Sequence, residues 1–364
     1  MILDLGIAFG RVFFVMMFVL NMGGLLGWVE RKQSAIMQDR IGANRASIFG
    51  LRVMGLFHPL ADAIKLLTKE DFRPARADRF LFALAPFVSV FFGLVAFASI
   101  PFGDTLRLWG REIPLQAVTL NVGVLWVFAM LSLGVYGVMM AGWSSVNNYA
   151  LLGGQRAAAL MISSEIAIGA SIMGVIMVYG SLDMQDIVRG QGQYFLGGWV
   201  PAWGLLTQPL AFIVFLTAGI AATKRVPFDT PEGESEIIGY FVEYSGMKAG
   251  MFMMSDFLET VVIAGMTTAL FLGGWQIPWL AAEGFQFPWG STLALPQLLV
   301  VVLQVGAFVV KVSVMIFVMM LIRWTLPRFR YDQAMRLGWL GLFPLSILNI
   351  VLTGAVLLLI GRPA

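Results

Sequence analysis

The chain has no cysteine, one histidine and few charges. Without cysteine there are no disulfides, no thiolate-held iron–sulfur clusters and no cysteine nucleophile. A single histidine, His58, argues against haem or zinc ligation by histidine pairs. No glycine-rich phosphate loop of the Walker type occurs. Whatever reaction the chain serves, no redox centre of its own is expected. Charged residues make up 12% of the 364 positions, against about 25% in soluble domains. The apolar runs do not alternate with polar residues as barrel strands would.

What is present is apolar: 59% hydrophobic residues and a mean hydropathy of +0.84. Runs of roughly 20 apolar residues recur, each long enough to cross ~30 Å of hydrocarbon as a helix. They predict an all-α integral membrane protein, one transmembrane domain over residues 1–364, with a bundle of about eight helices. The spans fall near 7–29, 80–101, 120–143, 157–180, 203–222, 247–274, 297–322 and 337–360. The N-terminal run lacks a small-residue cleavage site and reads as a retained first span, not a signal peptide. In the long loop after it, Leu56, Phe57, Leu60, Ile64 and Leu67 share one helical face, and Asp62, Lys65 and Lys69 another. That pattern predicts an amphipathic helix in the interface plane.

Charge orients the bundle. Of 24 Lys and Arg residues, 18 fall in the loops after spans 1, 3, 5 and 7, five on the other side, and Lys311 inside a span. By the positive-inside rule those odd loops are cytoplasmic and both termini lie outside. The outer loops carry Trp109, Trp199, Trp203, Trp275, Trp279 and Trp289, as in an interfacial belt. No internal repeat of the inverted-transporter kind is visible.

One stretch stands out. From Thr223 to Lys248 the chain holds Asp229, Glu232, Glu234, Glu236 and Glu243, with Tyr240 and Tyr244, between two apolar spans. Pro227 and Pro231 stop the fifth span. Thr230 can cap a new helix with Pro231 at its first position, Glu232 and Glu234 sitting in its first turn. Glu236, Tyr240 and Glu243 would then line one helical face. Crowded carboxylates at low dielectric cannot all ionise, so some can hold protons near neutral pH. The plainer alternative is a solvated acidic loop with a capped helix.

Other polar residues lie at membrane depth, where each is costly. Glu165 follows two serines within an apolar span; it either has a function or snorkels to pair with Arg156. Asp256 and Glu259 in the sixth span and Lys311 in the seventh suggest a polar path, structural ion pairs being the alternative. The first cytoplasmic loop is basic enough to hold anionic lipid, yet Glu30, Asp39 and Asp62 interrupt it. His58 on its own is more often a packed or hydrogen-bonded side chain than a catalytic one. Gly23 and Gly27 form a small-residue packing pair, and the many methionines fill spans.

These blocks together resemble one family. ERK (Glu30–Lys32), QDRIGANR (Gln38–Arg45), PLADAIKLLTKE (Pro59–Glu70), GWSSVNNYALLGGQR (Gly142–Arg156), SSEIAIG (Ser163–Gly169), RVPFDTPEGESEIIGYFVEYSGMK (Arg225–Lys248) and RWTLPRFRYDQAM (Arg323–Met335) follow in order over nearly the whole length. They resemble a membrane subunit of respiratory complex I, the NADH:quinone oxidoreductase, in the NADH dehydrogenase subunit 1 family. The resemblance implies cytoplasmic loops that enclose a quinone chamber together with neighbouring hydrophilic subunits. The substrate is a quinone; NADH, FMN and iron–sulfur clusters belong to partner subunits. Other implied partners are small membrane subunits, antiporter-like subunits and the lipid bilayer, with no nucleic acid. The implied location is the bacterial inner membrane. The implied quinone-binding residues are Arg31, Arg40, Asp62, Lys65, Arg225, Phe228 and Asp229. The implied proton relay is Glu165, Glu232, Glu234, Glu236, Glu243 and Asp256, and the PRFRYDQ loop would pack near the chamber.

The chain departs from that pattern at five places. Ala43 stands for a proline, His58 for a glutamine, Asp256 for a glutamate and Leu340 for a lysine. Ala222 stands where a relay acid usually precedes the threonine, which leaves that step to a water or a neighbouring acid. Two other readings predict different behaviour. The equivalent subunit of a membrane-bound hydrogenase would serve hydrogen evolution, and a stand-alone channel or carrier would transport ions by itself in liposomes.

Overall fold

A computed structural model describes residues 2–108, 110–195, 198–233 and 236–361; Trp109 of the expected belt lies outside them. Among the described residues, seven helices are long and apolar enough to cross a membrane. They are α1 (Ile2–Met37), α3 (Arg79–Ala96), α4 (Gly123–Ser144), α5 (Asn148–Tyr179), α9 (Gly246–Phe271), α10 (Gln297–Thr325) and α12 (Phe343–Ile360). The last is reached through α11 (Tyr331–Arg336) and one π-helical turn. Short α6 (Met184–Gly190) follows α5. The expected fifth span is broken: α7 (Gly204–Thr207) gives way at Gln208 to α8 (Pro209–Ala222), an apolar helix of 14 residues that begins on its proline. α2 (His58–Thr68) is the expected amphipathic helix of the first loop. Its Leu60, Ile64 and Leu67 are exposed, while Leu66 lies against Gly250 of α9.

The bundle is built around α9. Every residue from Leu258 to Phe271 is buried, polar ones included, as expected of a helix enclosed on all sides. α1, α3, α8 and α10 surround it. The peripheral helices turn large apolar side chains outward, such as Phe9 and Phe13 on α1 and Leu358 and Leu359 on α12. Lipid tails are as apolar as leucine, so helix association rests on close packing rather than on the hydrophobic effect. Gly23 supplies one such contact: a Cβ there would stand 3.2 Å from Leu258 Cδ2. Gly137 of α4 supplies another, a Cβ there falling 2.7 Å from Ser89 N of α3.

The two ends of the bundle differ. Asp4, near the start of α1, pairs with Arg111 in a small hairpin between α3 and α4. The other outer connections also form short antiparallel strands, which the apolar periodicity does not foretell. Glu30, near the far end of α1, meets Arg225 and Arg323. The basic loops therefore gather at one face and the hairpins at the other, as the charge asymmetry requires.

One expectation fails. Thr230 does not cap a helix, and the described part of residues 223–245 is turns and loop. Glu236, Tyr240 and Glu243 do not share a helical face. Tyr240 is buried edge-on to Phe241 and Phe252, and Gly153 of α5 lies so close that a Cβ there would stand 2.9 Å from its amide nitrogen. Burying the Tyr240 ring and its neighbour Tyr244 outweighs the capping preference of Thr230, which is worth about 1 kcal/mol.

Candidate functional site

The basic face is assembled from four chain segments. α1 brings Glu30 and Arg31, and the segment after α8 brings Arg225, Phe228 and Asp229. α10 carries Arg323 in its last turn, and Arg328 and Phe329 follow. Glu30 accepts a hydrogen bond from Arg225 at 3.1 Å and holds Arg323 in an ion pair at 2.9 Å. Arg328 donates to Asp229 at 2.7 Å. The rings of Phe228 and Phe329 stack with centroids 5.2 Å apart, and Phe329 N donates to Pro227 O at 2.8 Å. Arg225 also lies over the Phe257 ring of α9, 4.1 Å from its centroid. Arg31 pairs with Asp62 of α2 at 2.7 Å. The loop from Pro327 to Arg330, which leads into α11, is thus stitched directly to the segment that holds Phe228 and Asp229.

Burial changes the acids here. It pushes the Asp229 carboxyl up to about 6, with Arg328 and Arg323 pulling the other way. Burial, Asp256 and Asp229 together raise the Glu232 carboxyl well above its ordinary range. Its Oε1 has no hydrogen-bond partner among the described residues.

Beneath this face lies a buried ionic triad. Lys224 is fully buried, its Nζ 2.9 Å from Asp256 Oδ1 and 3.1 Å from Glu259 Oε1. Asp256 and Glu259 are three residues apart on α9 and so share a face. Burial alone would lower the lysine's proton affinity, but the two carboxylates reverse this and hold Nζ as an ammonium. On the far side of Glu259, a cavity of 10 Å³ is lined by Glu165, Ala222, Thr223 and Glu259, with apolar residues of α4, α5 and α9. That is about the room one water needs. Glu165 accepts from Ser132 at 2.8 Å.

The remaining candidates separate. Arg40 is exposed and reaches Gln38, at 2.8 Å. Lys65 is exposed on α2. Glu236 accepts from Arg156 at 2.6 Å, which removes Arg156 as a partner for Glu165. Glu243 accepts from Asn147 at 2.7 Å. Glu234 lies outside the described residues. Lys311 does not join the acids. Its ammonium donates to the carbonyls of Leu272, Gly274 and Gln276 at 2.6 to 3.1 Å, closing the C-terminal end of α9. Lys311 therefore stands apart from Asp256 and Glu259, whose basic partner is Lys224. His58 is tied to the Gly55 carbonyl at 2.8 Å. A larger cavity, 350 Å³, sits at the opposite face between Arg189, Tyr194, Trp275 and Trp279.

The chain is similar to known proteins over nearly its whole length. The family model described as NADH dehydrogenase matches residues 10–354. The chain belongs to the NADH dehydrogenase family. Among curated relatives, an NADH-quinone oxidoreductase subunit of Geobacter metallireducens is 43% identical over 98% of both chains. A subunit of the same name from Thermomicrobium roseum is 43% identical over 93% of this chain and 92% of its own. Another, from Cytophaga hutchinsonii, is 42% identical over 91% of each.

The structure adds residues to which the sequence alone gives no role: Arg323 and Arg328 look like loop charges in the chain, and Lys224 like one more positive-inside residue. Glu30, in the sequence an acid interrupting the basic loop, and Glu259, part of a polar path, gain defined partners. The signal that could find the triad is the three-residue spacing of Asp256 and Glu259, set against a lysine two positions after Ala222.

Proposed function

We propose that this chain is the membrane subunit of a proton-translocating NADH:quinone oxidoreductase in the bacterial inner membrane. It forms one wall of the quinone chamber and passes the charge change of quinone reduction into the bilayer. The observation that carries the reading is the basic-face cluster, in which three guanidiniums and two carboxylates are locked beside a pair of stacked phenylalanines. Arg225, Arg328 and Arg323 favour negative charge developing on a quinone headgroup. Phe228 and Phe329 offer it an apolar flank. Arg31 and Asp62 stand at the rim, with Arg40 and Lys65 further out on the same face, where hydrophilic partner subunits would close the chamber.

Partner subunits would supply NADH oxidation, FMN and the iron–sulfur clusters that deliver electrons. This chain's part is protonic. Reducing a quinone to a quinol takes up two electrons and two protons. Asp229, with a carboxyl that titrates near 6, suits a group that gives or takes a proton near neutral pH. Glu232, Glu234, Glu236 and Glu243 follow it in sequence, and Asp256 and Glu165 continue the acids toward the neighbouring small and antiporter-like subunits.

Affinity purification of the tagged chain from its native membrane tests this. Iron–sulfur and antiporter-like subunits should co-purify, and the assembly should reduce quinone in a manner blocked by a chamber inhibitor. Hydrogen evolution in place of quinone reduction contradicts the reading, as does ion transport by the chain alone in liposomes.

A further inference from the structure

Lys224 does more than neutralise two acids. It stands two residues past the end of α8 at φ 56, a left-handed conformation that costs a side-chain-bearing residue roughly 1–2 kcal/mol. That turn places it fully buried between Asp256 and Glu259. A buried ion triad is a poor choice where stability alone is at stake, since apolar side chains often do as well. The triad is not fully hydrogen-bonded. Glu259 uses Oε1 on Lys224, while its Oε2 is buried without a hydrogen-bond partner among the described residues, and Asp256 Oδ1 faces Nζ at 2.9 Å as an ion pair without a formed hydrogen bond. Glu259 lines the water-sized cavity that Glu165 lines from the other side. Ala222, which has no acidic side chain, borders the same cavity. At its other end the triad meets the fields of Glu232 and Tyr240 from the basic-face loop, with Arg225 nearby.

We propose that Lys224 is the proton-passing link between Glu259 and Asp256. The inference rests on the function proposed above. The step balances without electrons. Once Nζ turns an N–H onto Asp256 Oδ1, 2.9 Å away, Lys224 gives that proton to Oδ1 while a protonated Glu259 returns one to Nζ. The lysine is an ammonium before and after, and one proton has moved from Glu259 to Asp256; the reverse step moves it back. The cavity between Glu259 and Glu165 then needs a single water to extend the chain toward α4 and α5.

The test uses the whole assembly in proteoliposomes. Quinone reduction and protons pumped per electron are read for wild type, Lys224→Arg and Glu259→Gln. Arginine keeps the charge and the two ion pairs but holds its protons at every working pH. The inference expects Lys224→Arg to lose coupled turnover by about tenfold or more, a positioned proton-transfer group being worth roughly 100- to 10,000-fold. A structural cation predicts rescue by arginine, and wild-type pumping in Lys224→Arg overturns the assignment. Should that variant fail to assemble, Glu259→Gln decides. It keeps size and a hydrogen-bonding oxygen for Lys224, so loss of pumping supports the link and wild-type pumping overturns it. A wild-type assembly that reduces no quinone sinks the function reading instead, so the two failures are distinguishable.

Discussion

Arg328 donates a 2.7 Å hydrogen bond to Asp229, joining residues 99 positions apart across the basic face. Burial nonetheless keeps the Asp229 carboxyl up at about 6 rather than its ordinary 3.8. A carboxyl whose folded pKa is raised binds more protons folded than unfolded between those values, so its contribution to stability is full below about 4 and is lost as pH rises through about 6. The expected size is ~3 kcal/mol from a shift of about two pH units. Thermal unfolding of the solubilised assembly from pH 4 to 7 checks this. Wild type should lose more stability over that window than Asp229→Asn, and equal slopes would refute it.

Glu30 holds two guanidiniums. In Glu30→Gln, Arg225 and Arg323 keep their charges in a half-buried site with no carboxylate between them. Breaking a buried pair on one side costs about 3–5 kcal/mol, and the expected loss here is at the low end because the site is partly exposed. Quinone turnover should fall while NADH oxidation with a soluble artificial acceptor, which uses partner subunits alone, should stay. An unchanged quinone rate in this variant would show that the cluster does not shape the chamber.

Much of this is legible in the chain itself. The spans follow from apolar length, α2 from its two faces, and the basic face from the distribution of Lys and Arg. Gly23 and Gly27 are readable as a packing pair, and Gly23 does meet Leu258. The acidic stretch is not legible as a shape. Thr230, Pro231 and Glu232 carry the local signs of a helix start, but such preferences are worth about 1 kcal/mol. Fixing Tyr240 and Tyr244 among Phe82, Phe241 and Phe252 weighs more. Lys224 is hidden for another reason. Counting basic residues by loop says which side a lysine starts from, not that its side chain turns back into the bundle.

Lys311 should matter for folding and not for coupling. Its three bonds to carbonyls at the end of α9 have no substitute in Lys311→Met, and each carbonyl left buried costs about 1–3 kcal/mol. The solubilised variant should melt earlier than wild type. The assembled fraction should pump as many protons per electron as wild type, and reduced pumping would return Lys311 to a polar path with the buried acids.

Glu165→Gln separates charge from packing. Glutamine can keep the contact to Ser132 but cannot carry a proton. Pumping in the assembled variant should fall, with stability close to wild type. Normal pumping would remove Glu165, and the cavity it shares with Glu259, from the path.

Under the proposed function the basic face, and not the cavity at the opposite face, meets the quinone. Photolabelling of the purified assembly with a photoreactive quinone, with and without excess ordinary quinone, decides between the two. Label should appear on the peptides holding Arg31 to Asp62 and Arg225 to Asp229 and be removed by the competitor. Label confined to the peptides holding Arg189, Tyr194 and Trp279 would contradict the proposal.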